Sequence, residues 1–178
     1  ALAMINTFTA TAGAILAWAG LEAVLRGKAS MLGAASGLVA GLVAVTPAAG
    51  TVGPIGAIVL GALASAGCYF FVAVVKNRFG YDDSLDVVGI HMVGGIVGGV
   101  LLGFFADASI GGVDGAFFGD AGLVVSQLIA IVSVMVFSFV VTYAIAKVMD
   151  NVMGIRVSDE EEQTGLDQTQ HAETAYVD

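Results

Sequence analysis

His91, His171 and Cys68 are the only imidazole and thiol side chains in the 178-residue chain. A metal site needs three or four such ligands converging, and these three are scattered, so no metal is expected. A lone cysteine forms no internal disulfide. The sequence lacks a glycine-rich phosphate loop ending in Lys and Ser/Thr, and it lacks a serine–histidine–acid set within reach. An intramembrane enzyme built on His91 would need a partner acid or nucleophile in the apolar runs, and none is there. The reading is therefore a non-enzyme with no cofactor and no nucleic-acid partner. What remains is His91 itself, set in an apolar stretch. Desolvation favours its neutral form, in which one ring nitrogen donates a hydrogen bond and the other accepts. Such a group faces a cavity, a partner or a pathway; the alternative is a histidine satisfied by a neighbouring carbonyl. Gly94 and Gly95, at i+3 and i+4, leave room on the same helix face. Asp83 before the span reads as its N-cap, with Asp86 as a second acid in the first turn.

The elements that must position His91 are membrane helices. The chain is 58% apolar and only 12% charged, about half the usual charged fraction, which excludes a soluble globular domain and disorder alike. A hydrocarbon core about 30 Å thick takes roughly 20 helical residues. Uncharged stretches run from 1 to 21, 29 to 75, 87 to 106 and 121 to 146. The second is long enough for two helices, and both prolines, Pro47 and Pro54, mark the turn within it. The expected fold is all-α: a five-helix transmembrane bundle with spans near 1–25, 29–47, 53–76, 84–106 and 121–149. The chain enters its first apolar run without a charged leader, as expected of a segment entered partway. Gly33, Gly37 and Gly41, and Gly95, Gly99 and Gly103, repeat at the four-residue spacing that lets helix backbones approach in lipid.

Beyond Met153 the composition changes. Residues 154–178 hold seven acids and one base, −6 of the total −9, and form an aqueous tail. Arg26 and Lys28, Lys76 and Arg78, and Lys147 and Arg156 fall on one side of the five spans. The positive-inside rule makes that side, and the tail, cytoplasmic. Phe104, Phe105, Phe117 and Phe118 on the outer side, and Tyr69, Phe70, Phe71 and Tyr143 on the inner side, suit interfacial belts.

Three segments carry a resemblance. Ser36 to Gly50, SGLVAGLVAVTPAAG, resembles the signature segment of ammonium transporters of the Amt/Mep/Rh superfamily. Asp86 to Gly99, DVVGIHMVGGIVGG, resembles the span bearing the second of that family's two pore histidines. Gly154 to Asp167, with His171 to Tyr176, is similar to the cytoplasmic tail of the bacterial or archaeal Amt branch. The resemblance implies an inverted-repeat, eleven-span, multi-pass protein of the cell membrane, of which this chain is the last five spans. It implies a homotrimer that conducts ammonium or ammonia through a hydrophobic pore lined by paired histidines. By residue, it implies that His91 is the second histidine, that Val39 and Val87 line the pore, that Thr46 belongs to the signature turn and that Asp83 caps the histidine-bearing helix. A P-II signalling protein on the cytoplasmic face is the implied partner, in nitrogen regulation. A Rh-type gas channel, or a non-conducting scaffold or ammonium sensor with a signalling tail, is the alternative. The fragment alone is not expected to conduct. The charge pattern makes a first prediction. In intact cells, a cysteine placed at Gly111 should react with an impermeant thiol reagent and one at Thr164 should not; labelling at Thr164 would overturn the orientation.

Overall fold

The computed structural model describes residues 1–174. They divide into two compact units, Ala1–Val132 and the residues from Ser133 onward. All regular structure among the described residues is helical. In the first unit, α1 (Leu2–Arg26) ends at Gly27, whose φ of 81° is the left-handed stop that glycine adopts freely. Helix α2 (Met31–Val45) starts at Ser30, whose hydroxyl accepts from the Gly33 N–H at 2.9 Å. Helix α3 (Pro54–Phe79) opens on Pro54, where the missing N–H costs nothing, and includes a π turn at Phe71–Val75. Helix α4 (Val88–Phe105) begins with a second π turn, Val88–Met92. A short helix, α5 (Ala108–Gly111), and a 3₁₀ turn, Ala116–Phe118, lead into α6 (Gly122–Met153).

Helices α1, α3, α4 and α6 are long and apolar enough to cross a membrane. The expected second span is shorter than its neighbours: α2 has 15 residues, about 22 Å at about 1.5 Å each. It is prolonged not by helix but by a bonded turn, with Ala48 N–H on Val45 O and Thr51 N–H on Ala48 O. Pro47 and Pro54 prevent the helix from running on.

Packing in the first unit rests on small residues. The Gly33, Gly37 and Gly41 stripe of α2 lies against α1, running antiparallel to it. A Cβ on Gly41 would meet the Ala14 Cβ at 2.7 Å, one on Gly37 the Trp18 Cβ at 2.8 Å, and one on Gly33 the Glu22 carboxylate. Positions 14, 18 and 22 of α1 thus answer 41, 37 and 33 of α2, each set four apart. Gly61 of α3 meets Ala10 of α1 backbone to backbone, and Gly98 of α4 meets Ala44 of α2 in the same way. The second glycine stripe is not uniform. Gly103 abuts the Val124 backbone and Gly99 the Ile131 side chain, but a side chain at Gly95 would meet open space. Four polar side chains stitch these contacts. Buried Asn6 donates to Val52 O at 2.7 Å and Ala49 O at 2.8 Å, and Ser65 donates to Ala14 O at 2.8 Å. The buried Glu22 carboxylate accepts from Ser30 N–H at 2.7 Å and from the Ser30 hydroxyl, joining the ends of α1 and α2.

The aromatic belts are partly revised. Tyr69 is a core residue, 6% exposed. Its ring meets Trp18 edge-on at 5.4 Å, under the Arg26 guanidinium at 5.7 Å, because the small residues around it open a slot in the bundle. Phe104 and Phe105 instead gather on Phe117, at 5.5 and 5.2 Å.

In the second unit, α6 continues to Met153 and the chain turns at Gly154, φ 70°. The acidic tail forms α7 (Asp159–Thr164) and α8 (Leu166–Thr169). Ser158 and Glu161 make a reciprocal capping box, and Gln170 Nε2 donates to the Glu161 carboxylate at 2.8 Å. The Ser158 backbone N–H, then its hydroxyl and the Gln170 amide, hold the Glu161 carboxyl below the ordinary glutamate range. Arg156 pairs with Glu162 at 3.2 Å. Tyr176, at the end of the tail motif, lies outside the described residues.

The unequal glycines make a prediction. Gly98→Ala should lower the thermal stability of the purified protein by about 1–3 kcal/mol, because backbone cannot move aside for the new methyl. Gly95→Ala should leave the melting temperature unchanged; equal melting of the two variants would refute the contact.

Candidate functional site

The loop between α3 and α4 builds the site. Gly80, φ 62°, ends α3, and residues 81–87 return the chain to α4. The Asp83 carboxylate accepts from the Val87 N–H through Oδ1 and from the Val88 N–H through Oδ2, both at 2.8 Å. Two of the orphan donors at the start of a helix are thereby met, by a negative charge at the positive end of the helix dipole. Asp86 does something other than sit in a regular first turn. Its backbone is left-handed, φ 55°, and its carboxylate faces Lys76 Nζ at 2.6 Å. The same ammonium donates to the Asp83 carbonyl oxygen.

His91 lies in the π turn that follows. A π turn inserts one residue into the helical ladder, displacing the carbonyls from their usual donors. Within it, Ile90 O accepts the Val93 N–H and also takes the Cys68 thiol at 3.6 Å. Gly89 faces Val72 in the other π turn, where a Cβ would meet Val72 Cγ2 at 2.6 Å. Ile90 and Val93, on either side of His91, are buried with Trp18, Ala40, Cys68 and Tyr69 in one cluster, and Val39 packs against it. His91 itself is exposed on the surface of this chain, and among the described residues its imidazole has no hydrogen-bond partner. Among the described residues no neighbouring carbonyl satisfies it.

The structure brings the helix carrying Val39 against the turn carrying His91. Val87 is half-exposed at the capped start of α4. Thr46 is elsewhere. It ends α2, seven residues and about 10 Å of helix beyond Val39, with its hydroxyl on Leu42 O at 2.7 Å. The signature turn it enters is held by Asn6, a residue that the search for chemistry passed over. A single amide inside an uncharged run was the available signal, since buried amides in membrane helices bond across helices. Glu22 also escaped, as did the contacts of Lys76 and Cys68, because each is made with a residue on the next element of the fold. Among the described residues no group of three or more His, Cys, Asp or Glu side chains could hold a metal ion.

Membrane-length apolar helices in intimate backbone contact, with one imidazole displayed beside a capped helix start, define a multi-pass helical membrane protein. The whole pattern has close counterparts. A profile of the Ammonium Transporter Family matches residues 1–176, and the chain belongs to that family. It is 47% identical over 178 residues to an ammonium transporter of Bacillus subtilis, covering 99% of this chain and 44% of that protein. An ammonium transporter of Aquifex aeolicus is 51% identical over 176 residues, covering 99% and 41%. Among solved structures, Mep2 of Saccharomyces cerevisiae superposes with a TM-score of 0.82 at 32% identity, over 89% of this chain and 37% of Mep2. The chain thus spans less than half the length of these relatives.

The cap makes a prediction. Asp83→Ala strands the Val87 and Val88 N–H groups and should destabilise the purified protein by about 0.5–2 kcal/mol. Asp83→Asn, which keeps one acceptor, should fall between. An Asp83→Ala melting temperature equal to wild type would show that the two bonds contribute nothing.

Proposed function

We propose that this chain is the C-terminal part of an ammonium transporter and supplies one wall of its pore. The observation that carries the reading is His91. In a chain of this family it is the one imidazole set within the spans, and it is exposed with no hydrogen-bond partner among the described residues, although Ile90 and Val93 on either side of it are buried. The pore histidine pair then consists of His91 and a histidine from the part of the transporter that the relatives have and this chain does not. Val39 and Val87 line the apolar wall beside it. Thr46 belongs to the turn at the other end of α2, and Asp83 keeps the start of α4 in place.

The chemistry follows from solvation. An ammonium ion stripped of water in an apolar pore loses several kcal/mol or more. Releasing its proton at the mouth and passing ammonia avoids most of that loss. Neutral imidazoles suit this, since each offers one hydrogen-bond donor and one acceptor. Potassium has no proton to release and is rejected. In this reading the complete protein lies in the cell membrane with the tail in the cytoplasm and assembles as a homotrimer. The acidic tail, with its capped α7, helps present the inner face to a P-II signalling protein. The chain alone does not conduct, because a pore between inverted halves needs both.

Uptake of labelled methylammonium by vesicles tests this. The samples are this chain alone, the complete transporter and its His91→Ala form; a graft of this chain in place of the matching segment of the Bacillus subtilis relative serves equally as the complete protein. The chain alone should stay at background and the complete protein should accumulate label. His91→Ala should lose uptake or ion selectivity while assembling normally. Uptake by the chain alone equal to the complete protein would overturn the half-pore reading, and wild-type selectivity in His91→Ala would remove His91 from the pathway.

A further inference from the structure

Lys76 stands at the end of the apolar span α3, one residue after a π turn, and is only about a quarter exposed. Its ammonium bridges two points of the loop that launches α4, the Asp83 carbonyl oxygen and the Asp86 carboxylate, the latter at 2.6 Å. Asp83 holds the same helix start from the other side through the Val87 and Val88 N–H groups. Asp86 has a left-handed backbone, φ 55°, a conformation that aspartate adopts more readily than most non-glycine residues. Beyond this loop the π turn of α4 touches the π turn of α3 at Gly89 and Val72. Further along, α4 is pinned by the backbone contact of Gly98 with Ala44. The extra residue of the π turn is therefore trapped between a fixed start and a fixed middle, and His91 lies within it. If the start came loose, the turn could revert to an α-helix. A one-residue shift in register rotates a helical side chain by about 100°.

We propose that Lys76 is a positioning residue for His91: by bridging Asp83 and Asp86 it holds the π turn in the register that aims the imidazole. The proposal rests on the transport reading only for its functional consequence. The bland alternative is a lysine at the membrane boundary whose ion pair contributes little. That alternative leaves ion discrimination and the reactivity of His91 untouched.

The test uses the complete transporter with Lys76→Met, Lys76→Arg and Asp86→Gly. Glycine accepts the left-handed backbone but removes the carboxylate. Two readouts are compared at equal membrane abundance: the ratio of labelled methylammonium to rubidium uptake, and the rate at which diethyl pyrocarbonate modifies His91, followed by mass spectrometry with His171 as internal reference. Lys76→Met and Asp86→Gly should lower the uptake ratio about tenfold or more, as misplacement by a remote change commonly does. Both should shift the His91 rate while leaving that of His171 unchanged, and Lys76→Arg should restore part of each. If Lys76→Met does not reach the membrane, Asp86→Gly decides by the same measurements. A wild-type ratio and wild-type His91 reactivity in either variant overturns the proposal. A wild-type protein that takes up no methylammonium would instead sink the transport reading, and the His91 modification rates would then decide the role of Lys76 by themselves.

Discussion

In a bilayer, apolar side chains gain nothing by leaving lipid for one another, so helices hold together through close packing and the hydrogen bonds made across it. Every longer-range feature of the first unit depends on that constraint. Gly33, Gly37 and Gly41 of α2 meet positions 22, 18 and 14 of α1, and Gly61 and Gly98 bring α3 onto α1 and α4 onto α2. At such contacts dispersion over many atoms replaces hydrophobic burial. At Gly61 and Gly98 the approach is closed by backbone, so a single methyl group suffices to disturb it.

Close backbone packing leaves few places for polar groups, and the chain uses those places at element ends. Asn6 ties the turn after α2, Glu22 the turn before it, and Asp83 the start of α4. Each side chain satisfies N–H or C=O groups that lipid cannot, which is the stringent requirement on irregular backbone at membrane depth. The two π turns belong to the same account. In the second of them Ile90 O accepts both a backbone N–H and a thiol from α3. Among these anchors, Asp83 lies nearest in sequence to His91 and holds the start of its helix. Among the described residues the imidazole has no hydrogen-bond partner, while the loop ahead of it is held by Asp83 and Lys76.

The charge of the chain is divided in keeping with this arrangement. Two of the charged groups inside the spans have close partners, Glu22 with Ser30 and Lys76 with Asp86. The surplus acids collect in the tail, where water solvates them and where the Ser158–Glu161 box orders a short helix. Membership of the Ammonium Transporter Family fits a chain whose membrane part is so nearly free of charge.

Much of this was legible in the residues. The absence of charge over helical lengths marked the spans, because lipid penalises charge wherever it falls in them, and the placement of Pro47, Pro54 and the acidic tail marked the turns and the exit. The family signatures singled out His91 for the same reason: an imidazole in an apolar run is conspicuous without any fold. The structure decided what depends on distance. It showed that Gly95 is spare while Gly98 is not, that Tyr69 is core, and that Asp86 turns back to Lys76 instead of joining the helix. It also showed that α2 stops short of a full span. None of these follows from local pattern, because each is set by what a second, sequence-distant helix places against the residue. Hydropathy is a property of a segment, but a backbone contact or a salt bridge is a property of a pair, and only the packed chain defines the pairs.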